Sequence, residues 1–163
     1  MISRLLILAG LVFTTSLSAA TPPAVDLVKV DKSAHTLYLM RQGKVVEKFH
    51  IALGGNPVGH KQREGDQRTP EGRYILDFKN ANSAFFRSIH VSYPDHADTA
   101  RARRMGVSPG GAIMIHGQKN GFGKFSAATQ RFDWTDGCIA LSNADMQKVW
   151  DLVQVPTPIE ISP

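Results

Sequence analysis

Apolar and polar residues alternate in short bursts along much of the chain, a pattern typical of half-buried strands. Between the bursts lie segments rich in Gly, Pro and charged residues, the longest of them at 54–72 and 118–137, which favour loops. A short apolar run after two glycines predicts a buried strand that ends at His116. The predicted strands cover 25–30, 35–40, 45–53, 72–80, part of 83–95, 110–117 and 157–163.

Two stretches favour helices instead. Residues 96–106 predict a helix of about two turns that ends at Gly106, and residues 142–153 predict a second helix. Ser142 is suited to its N-cap, with an acidic residue three positions later. We therefore expect a mainly β fold with a few short helices. The residues of the second helix that recur at helical spacing, and so should face the core, are Met146, Val149, Trp150 and Val153.

The first twenty residues differ from the rest of the chain. Arg4 precedes an apolar stretch from Leu5 to Leu17, and small residues follow up to Ala20. This pattern predicts a secretory signal peptide at 1–20. The stretch is shorter than the roughly 20 residues of a membrane-spanning helix, which disfavours an anchor. Residues 21–163 would then form one domain, long enough for a core and too short for two.

The net charge of the chain is +5 and its isoelectric point is about 9.6, which suits an exported protein that acts on acidic partners. Lys and Arg are scattered along the sequence without interleaved aromatic residues. This distribution, together with the predicted export signal, argues against nucleic-acid binding.

Cys138 is the only cysteine of the chain. Exported domains usually pair their cysteines, so a single one suggests an intermolecular disulfide, an inert buried thiol or a reactive nucleophile. Gly137 before it leaves room for a substrate, and the predicted helix start soon after it is expected to lower the thiol pKa. These features favour the nucleophile.

His116 is the histidine best placed to serve such a nucleophile. It is the only one of six that ends a predicted buried strand and precedes a glycine-rich loop. A base within reach of a thiol generates the attacking thiolate. The sequence lacks the Cys and His spacings of a zinc site, and no metal or cofactor is expected.

The segments GAIMIHG and TDGCIAL, together with LGGNPVGHKQREGDQRTPEGRYIL and the closing TPIEI, resemble the L,D-transpeptidase catalytic domain, the YkuD family. The resemblance covers about residues 25–162. It implies a β-sandwich-like domain in the periplasm that acts on the stem peptides of peptidoglycan. A murein lipoprotein is a further possible partner.

The resemblance also implies a role for each matching residue. Cys138 corresponds to the nucleophile and His116 to the general base. The carbonyl of Gly117 would orient the imidazole, and N–H groups around Asp136, Gly137 and Cys138 would form the oxyanion hole. Cys138 would attack the carbonyl of diaminopimelate, the third stem residue, and release D-Ala.

Charged and aromatic residues outside these motifs are candidates for substrate binding. Lys61, Arg68 and Arg73 could receive carboxylates, although a solvated loop is the favoured explanation for any single one of them. His90 and Tyr93 could form a cleft wall or simply pack within a strand.

The resemblance is incomplete at Ala140, where many family members carry Arg. The acceptor of the thioester therefore stays open between an amine, as in transpeptidation, and water, as in a carboxypeptidase, endopeptidase or lipoprotein-releasing amidase. Two other classes remain as alternatives: a non-catalytic cell-wall-binding domain and an exported cysteine peptidase of unrelated fold.

Overall fold

Eight strands form a single sheet in the computed structural model, which describes residues 24–163; the predicted signal peptide at 1–20 lies outside the described residues. The strands are β1 (Leu27–Asp31), β2 (Thr36–Arg41), β3 (Lys44–His50), β4 (Gly72–Asn80), β5 (Ser88–Val91), β6 (Met114–His116), β7 (Ile139–Ala140) and β8 (Thr157–Ser162). The helices are α1 (His96–Arg104), α2 (Ser126–Thr129) and α3 (Asn143–Leu152), with a 3-10 helix at Gly123–Phe125.

The sheet curls until its two edges meet. Its strand order is β3-β2-β1-β8-β4-β5-β6-β7, and all neighbours are antiparallel except the pairs β1–β8 and β6–β7. The chain leaving β3 then bridges back to the opposite edge, through Ala52 with Ala140 and Gly54 with Thr135. The mainly β fold with a few short helices is confirmed.

The core lies inside this curl. Alternate strand residues, such as Val28 and Leu39, are fully buried, because successive side chains of a strand point to opposite faces. Helix α3 packs Met146 and Val149 into the same core. Fully burying one such side chain contributes about 1.5–3 kcal/mol. Ser142 caps this helix as predicted, its hydroxyl accepting a hydrogen bond from the N–H three residues on.

The structure departs from the predicted elements in two places. Strand β6 is shorter than the predicted 110–117, because Gly110 and Ala112 have left-handed φ angles of 73° and 53°, which interrupt strand pairing. The polar segment 118–137, predicted as a loop, contains the 3-10 helix and α2. Its sequence lacks the apolar residues at helical spacing that predict an α-helix.

Buried charges anchor the long loop 54–72 to the sheet. The ammonium group of Lys32, only 3% exposed, donates to the carbonyls of Gly59 and Thr69 and to the Glu71 carboxylate, at 2.7, 3.2 and 2.7 Å. His60 accepts the Glu71 N–H with one ring nitrogen and contacts an α1 carboxylate with the other. The loop is therefore fixed before it reaches the site described next.

None of the helices within residues 24–163 has the length and apolar character needed to cross a membrane.

Candidate active site

The parallel pairing of β6 with β7 brings the two sequence motifs together. His116 lies opposite Ala140 in the register, and Met114 lies next to Cys138, whose sulfur is 3.4 Å from the Met114 backbone nitrogen. Residues two apart on a strand share a face. The imidazole and the thiol therefore lie on the same side of the sheet.

Both side chains line one pocket of about 270 Å³. Aromatic rings close it around the imidazole: Phe85 lies 4.7 Å and Trp134 5.7 Å from the His116 ring, between centroids. These rings keep water from the imidazole, which is 5% exposed. The pocket is lined by Ser83, Phe85, Ser88, Ala112, Met114, His116, Trp134, Thr135, Asp136 and Cys138.

The orientation of His116 is set by its neighbour Gly117. Nδ1 lies 2.7 Å from the Gly117 carbonyl oxygen, and because a carbonyl only accepts, Nδ1 carries the proton. Nε2 is then the basic nitrogen of the neutral ring. Burial lowers the pKa of His116, and the hydrogen bond to Gly117 only partly opposes this, so the ring is neutral near pH 7. A Cβ at residue 117 would lie 2.7 Å from the Asn143 side-chain oxygen and 3.0 Å from the Phe86 Cβ, so a larger residue would have to displace these side chains.

The turn before Cys138 is built around the hydroxyl of Thr135. This hydroxyl donates to the Cys138 carbonyl at 2.8 Å and accepts the Gly137 N–H at 3.1 Å. Gly137 has a φ of 124°, and a Cβ there would lie 2.5 Å from the Arg68 carbonyl oxygen. Only glycine fits this position, and the turn holds the sulfur at the pocket wall.

The pKa of the Cys138 thiol is shifted in the direction opposite to the one predicted from sequence. Burial raises it, and the Met114 N–H only partly compensates. The expected helix effect is missing because α3 begins at Asn143, beyond β7 and at the far end of that strand from Cys138. The prediction of a lowered pKa is therefore wrong, and the resting sulfur is a thiol.

Two backbone N–H groups near the sulfur are available for an oxyanion. The Gly137 N–H already donates to Thr135. The hydrogen bonds formed among residues 24–163 leave the N–H groups of Asp136 and Cys138 without an acceptor. Of the three groups named from sequence, these two remain for a developing negative charge.

The structure places the loop candidates for substrate binding outside the pocket lining. Lys61 is 3% exposed and pairs with Asp66 at 2.8 Å. The backbone of Arg68 packs against the turn at Gly137. Arg73 is 85% exposed and pairs with Glu160 on β8.

The two strand candidates differ from each other. Tyr93 is buried, and its hydroxyl donates to the Pro109 carbonyl. His90 lies opposite Met114 in the register of β5 and β6, on the face that carries the thiol. The structure thus brings His90 close to the pocket and leaves Tyr93 in the core.

Several pocket residues carry no sequence signal of their own. Phe85 and Ser88 reach the pocket only because β5 pairs with β6. Trp134 stands next to the TDGC motif, and its indole nitrogen is buried without a hydrogen-bond partner. Two residues before Thr135, the Asp133 carboxylate accepts from His35 and from the Leu53 N–H, which fixes the start of the turn. Within residues 24–163 no group of three or more His, Cys, Asp or Glu side chains could hold a metal ion.

Comparison with known proteins identifies the family of this chain. The family model of the YkuD L,D-transpeptidase catalytic domain matches residues 26–161. The chain belongs to this family.

Individual relatives agree with this assignment. YafK of Escherichia coli K12, which carries an L,D-transpeptidase name, is 24% identical over 116 residues, 69% of this chain and 45% of YafK. The crystal structure of a K307A mutant of Pgp2, the helical cell shape determining protein of Campylobacter jejuni, is 27% identical with a TM-score of 0.65, covering 85% of this chain and 47% of Pgp2. L,D-transpeptidase 1 of Mycobacterium tuberculosis shares the fold at 18% identity and a TM-score of 0.52, over 86% of this chain and 62% of that one. This chain spans about half the length of YafK and Pgp2.

Proposed function

We propose that the protein is a cysteine-dependent enzyme that cleaves the bond between diaminopimelate and D-Ala in peptidoglycan stem peptides. One observation carries this proposal: Cys138 and His116 line the same pocket, with the His116 Nδ1–H directed to the Gly117 carbonyl and Nε2 left basic. A thiol and a neutral imidazole in one pocket are the minimal apparatus of acyl transfer.

The reaction begins with both groups uncharged. Nε2 of His116 accepts the thiol proton as the sulfur of Cys138 attacks the diaminopimelate carbonyl. The N–H groups of Asp136 and Cys138 donate to the oxygen of the tetrahedral intermediate. The imidazolium then protonates the leaving D-Ala nitrogen, the C–N bond breaks, and a thioester remains on Cys138.

The thioester is resolved by a second nucleophile whose proton His116 removes in turn. An amine of another stem peptide gives L,D-transpeptidation, and water gives hydrolysis. Ala140 is fully buried opposite Ala52, so no cation stands at this position beside His116. We infer that a carboxylate of the acceptor is not recognised there. The family membership and the named role of Pgp2 in cell shape support a periplasmic role in cell-wall shaping, with a murein lipoprotein as one candidate acceptor.

Defined muropeptides test the proposal. Wild-type protein is incubated with tetrapeptide and crosslinked muropeptides, and the products are identified by mass spectrometry. We expect loss of D-Ala with either a crosslinked product or a tripeptide, and neither product with Cys138→Ala. Full activity of Cys138→Ala would show that the nucleophile is assigned wrongly.

A carbapenem separates an enzyme from a cell-wall-binding module that only keeps the fold. Acylation should add the mass of the drug to wild-type protein and not to Cys138→Ala. The chain has no other cysteine, so the adduct reports on this site alone among thiols. A protein that binds sacculi but forms no adduct and turns over no muropeptide would be the binding module.

A further inference from the structure

Beyond the pocket, a second group of side chains lies on the same face of the sheet. His90 on β5 is opposite Met114 on β6, and the Met114 N–H contacts the sulfur of Cys138. On the other side of His90, the ring of Phe78 on β4 stacks on the imidazole, with centroids 4.6 Å apart and planes 16° apart. These residues form a row across β4, β5 and β6 that ends at Cys138, directly before β7.

A β-bulge creates the outer end of this row. Leu76 pairs with Val91 and Lys79 pairs with Ile89, so two residues of β4, Asp77 and Phe78, stand opposite the single residue His90. A bulge bends the strand and redirects its side chains. Here it lets both residues reach one imidazole: Phe78 stacks on the ring, and the Asp77 carboxylate lies 2.7 Å from Nδ1.

Asp77, Phe78 and His90 together form a small platform on this face of the sheet. Its chemistry suits an uncharged ring that carries hydroxyl groups. Phe78 is 48% exposed and presents an apolar face. The Asp77 side chain is 41% exposed, with acceptor capacity left over, and it balances the charge of His90 when that ring is protonated.

The distance from the nucleophile points to a particular ring. Three inter-strand steps of about 4.8 Å separate Phe78 from Cys138, about 14 Å along the sheet. In a stem peptide, three residues and a lactyl ether separate the attacked carbonyl from the sugar. Three extended residues span about 10 Å, so the ether places the sugar ring at the distance of the platform.

We propose that Asp77, Phe78 and His90 form a subsite for the sugar of the glycan strand to which the attacked stem peptide is attached. The subsite rests on the proposed function for its substrate. It would let the enzyme favour stem peptides still joined to glycan over free peptides.

The test compares two substrates that differ only in the sugar: a disaccharide tetrapeptide and the same tetrapeptide after removal of the disaccharide. The measured quantity is the ratio of kcat/KM for the first over the second. We expect Phe78→Ala to lower this ratio about tenfold, the loss typical of one anchoring aromatic residue, and Phe78→Trp to keep it. Ile75→Ala is the matched control, since Ile75 is an exposed apolar residue of the same strand outside the row.

A ratio unchanged by Phe78→Ala, or an equal fall with both substrates, would overturn the subsite. Binding of the disaccharide tetrapeptide to Cys138→Ala protein, followed through the ring resonances of His90 and Phe78, gives a readout that needs no turnover. If wild-type protein turns over neither substrate, the proposed function fails, while the subsite is judged by this binding. Equal resonance shifts with the sugar-free peptide would assign the platform to the peptide instead.

Discussion

Two polar regions of the molecule contrast in how their groups are paired. In the network that fixes loop 54–72 to α1, the buried Asp98 carboxylate is paired within the protein: it receives the Tyr74 hydroxyl at 2.9 Å, the Asp95 N–H at 3.1 Å, and contacts from His60 and Arg101. In the pocket, Nε2 of His116, two backbone N–H groups and the Trp134 indole nitrogen have no partner among residues 24–163. Paired groups stabilise a fold, whereas unpaired groups beside a cavity are available to a substrate.

The pKa shifts follow the same division. Burial alone would raise the pKa of Asp98, but hydrogen bonds from Asp95, Tyr74 and Arg101 lower it, so the network keeps a charge. In the pocket, burial raises the pKa of Cys138 and lowers that of His116, so both groups are uncharged. The pocket therefore holds no ion pair between Cys138 and His116.

Replacing the proposed base should give the largest effect. His116→Gln removes the nitrogen that accepts the thiol proton in the proposed mechanism, and we expect turnover of the tetrapeptide muropeptide to fall about 10³-fold. The thermal midpoint should move by only a few degrees, because His116 lines the pocket and is not part of the hydrophobic core. His96→Gln, at an exposed position on α1, is the control and should change neither quantity. Retained turnover would remove His116 from the mechanism.

Breaking the paired network should have the opposite effect: stability should fall while activity is kept. Asp98→Ala leaves Arg101, His60 and the Tyr74 hydroxyl without their acceptor, and we expect the free energy of unfolding to fall by about 3 kcal/mol. Activity per folded molecule should persist, because Asp98 does not line the pocket.

Urea unfolding and turnover, measured on the same samples, check this separation. Asp151→Ala removes an exposed carboxylate that accepts only from Gln147, and it should cost less than about 0.5 kcal/mol. A loss of specific activity in Asp98→Ala at temperatures where it is folded would show that the network also shapes the site.

Thr135 shares features of both regions, because its hydroxyl is paired within the protein and yet positions Cys138 of the pocket. Thr135→Val removes the bonds to the Cys138 carbonyl and the Gly137 N–H, and we expect a loss of about 1–2 kcal/mol of stability. We also expect kcat to fall with little change in KM, since the turn no longer fixes the thiol. Thr135→Ser keeps the hydroxyl and should recover most of the stability and most of the kcat. Equal kcat values for the Val and Ser variants would reduce Thr135 to a structural residue.

The two regions also differ in how far the sequence predicts them. Strands, both longer helices and the Ser142 cap follow from local periodicity and capping chemistry, which act over neighbouring residues. His116 and Cys138 are recognisable because each stands in a motif with its own glycine.

The pairing of distant strands is not local, and it decides the rest. Phe85, Ser88 and the bulge at Asp77 acquire their positions from the β4–β5–β6 register, which no short segment encodes. The thiol pKa was predicted with the wrong sign because the helix start is near Cys138 in sequence but lies at the other end of β7 in space. Burial, a tertiary property, determines the shift instead.

The smallest expected effect is the pH dependence that the Cys138 thiol gives to alkylation and to stability. Because the pKa of Cys138 is raised by burial in the folded protein, its alkylation by iodoacetamide should increase with an apparent pKa above the roughly 8.5 of an ordinary thiol. In urea-unfolded protein the midpoint should return to about 8.5. Between these two pKa values the unfolded chain ionises first, so wild-type stability should decline with rising pH relative to Cys138→Ala. Alkylation rates and urea midpoints are measured from pH 6 to about 10, a range that spans the ordinary thiol pKa. An apparent pKa below about 8 for Cys138 in the folded protein would mean that His116 and Cys138 form an ion pair in the resting state.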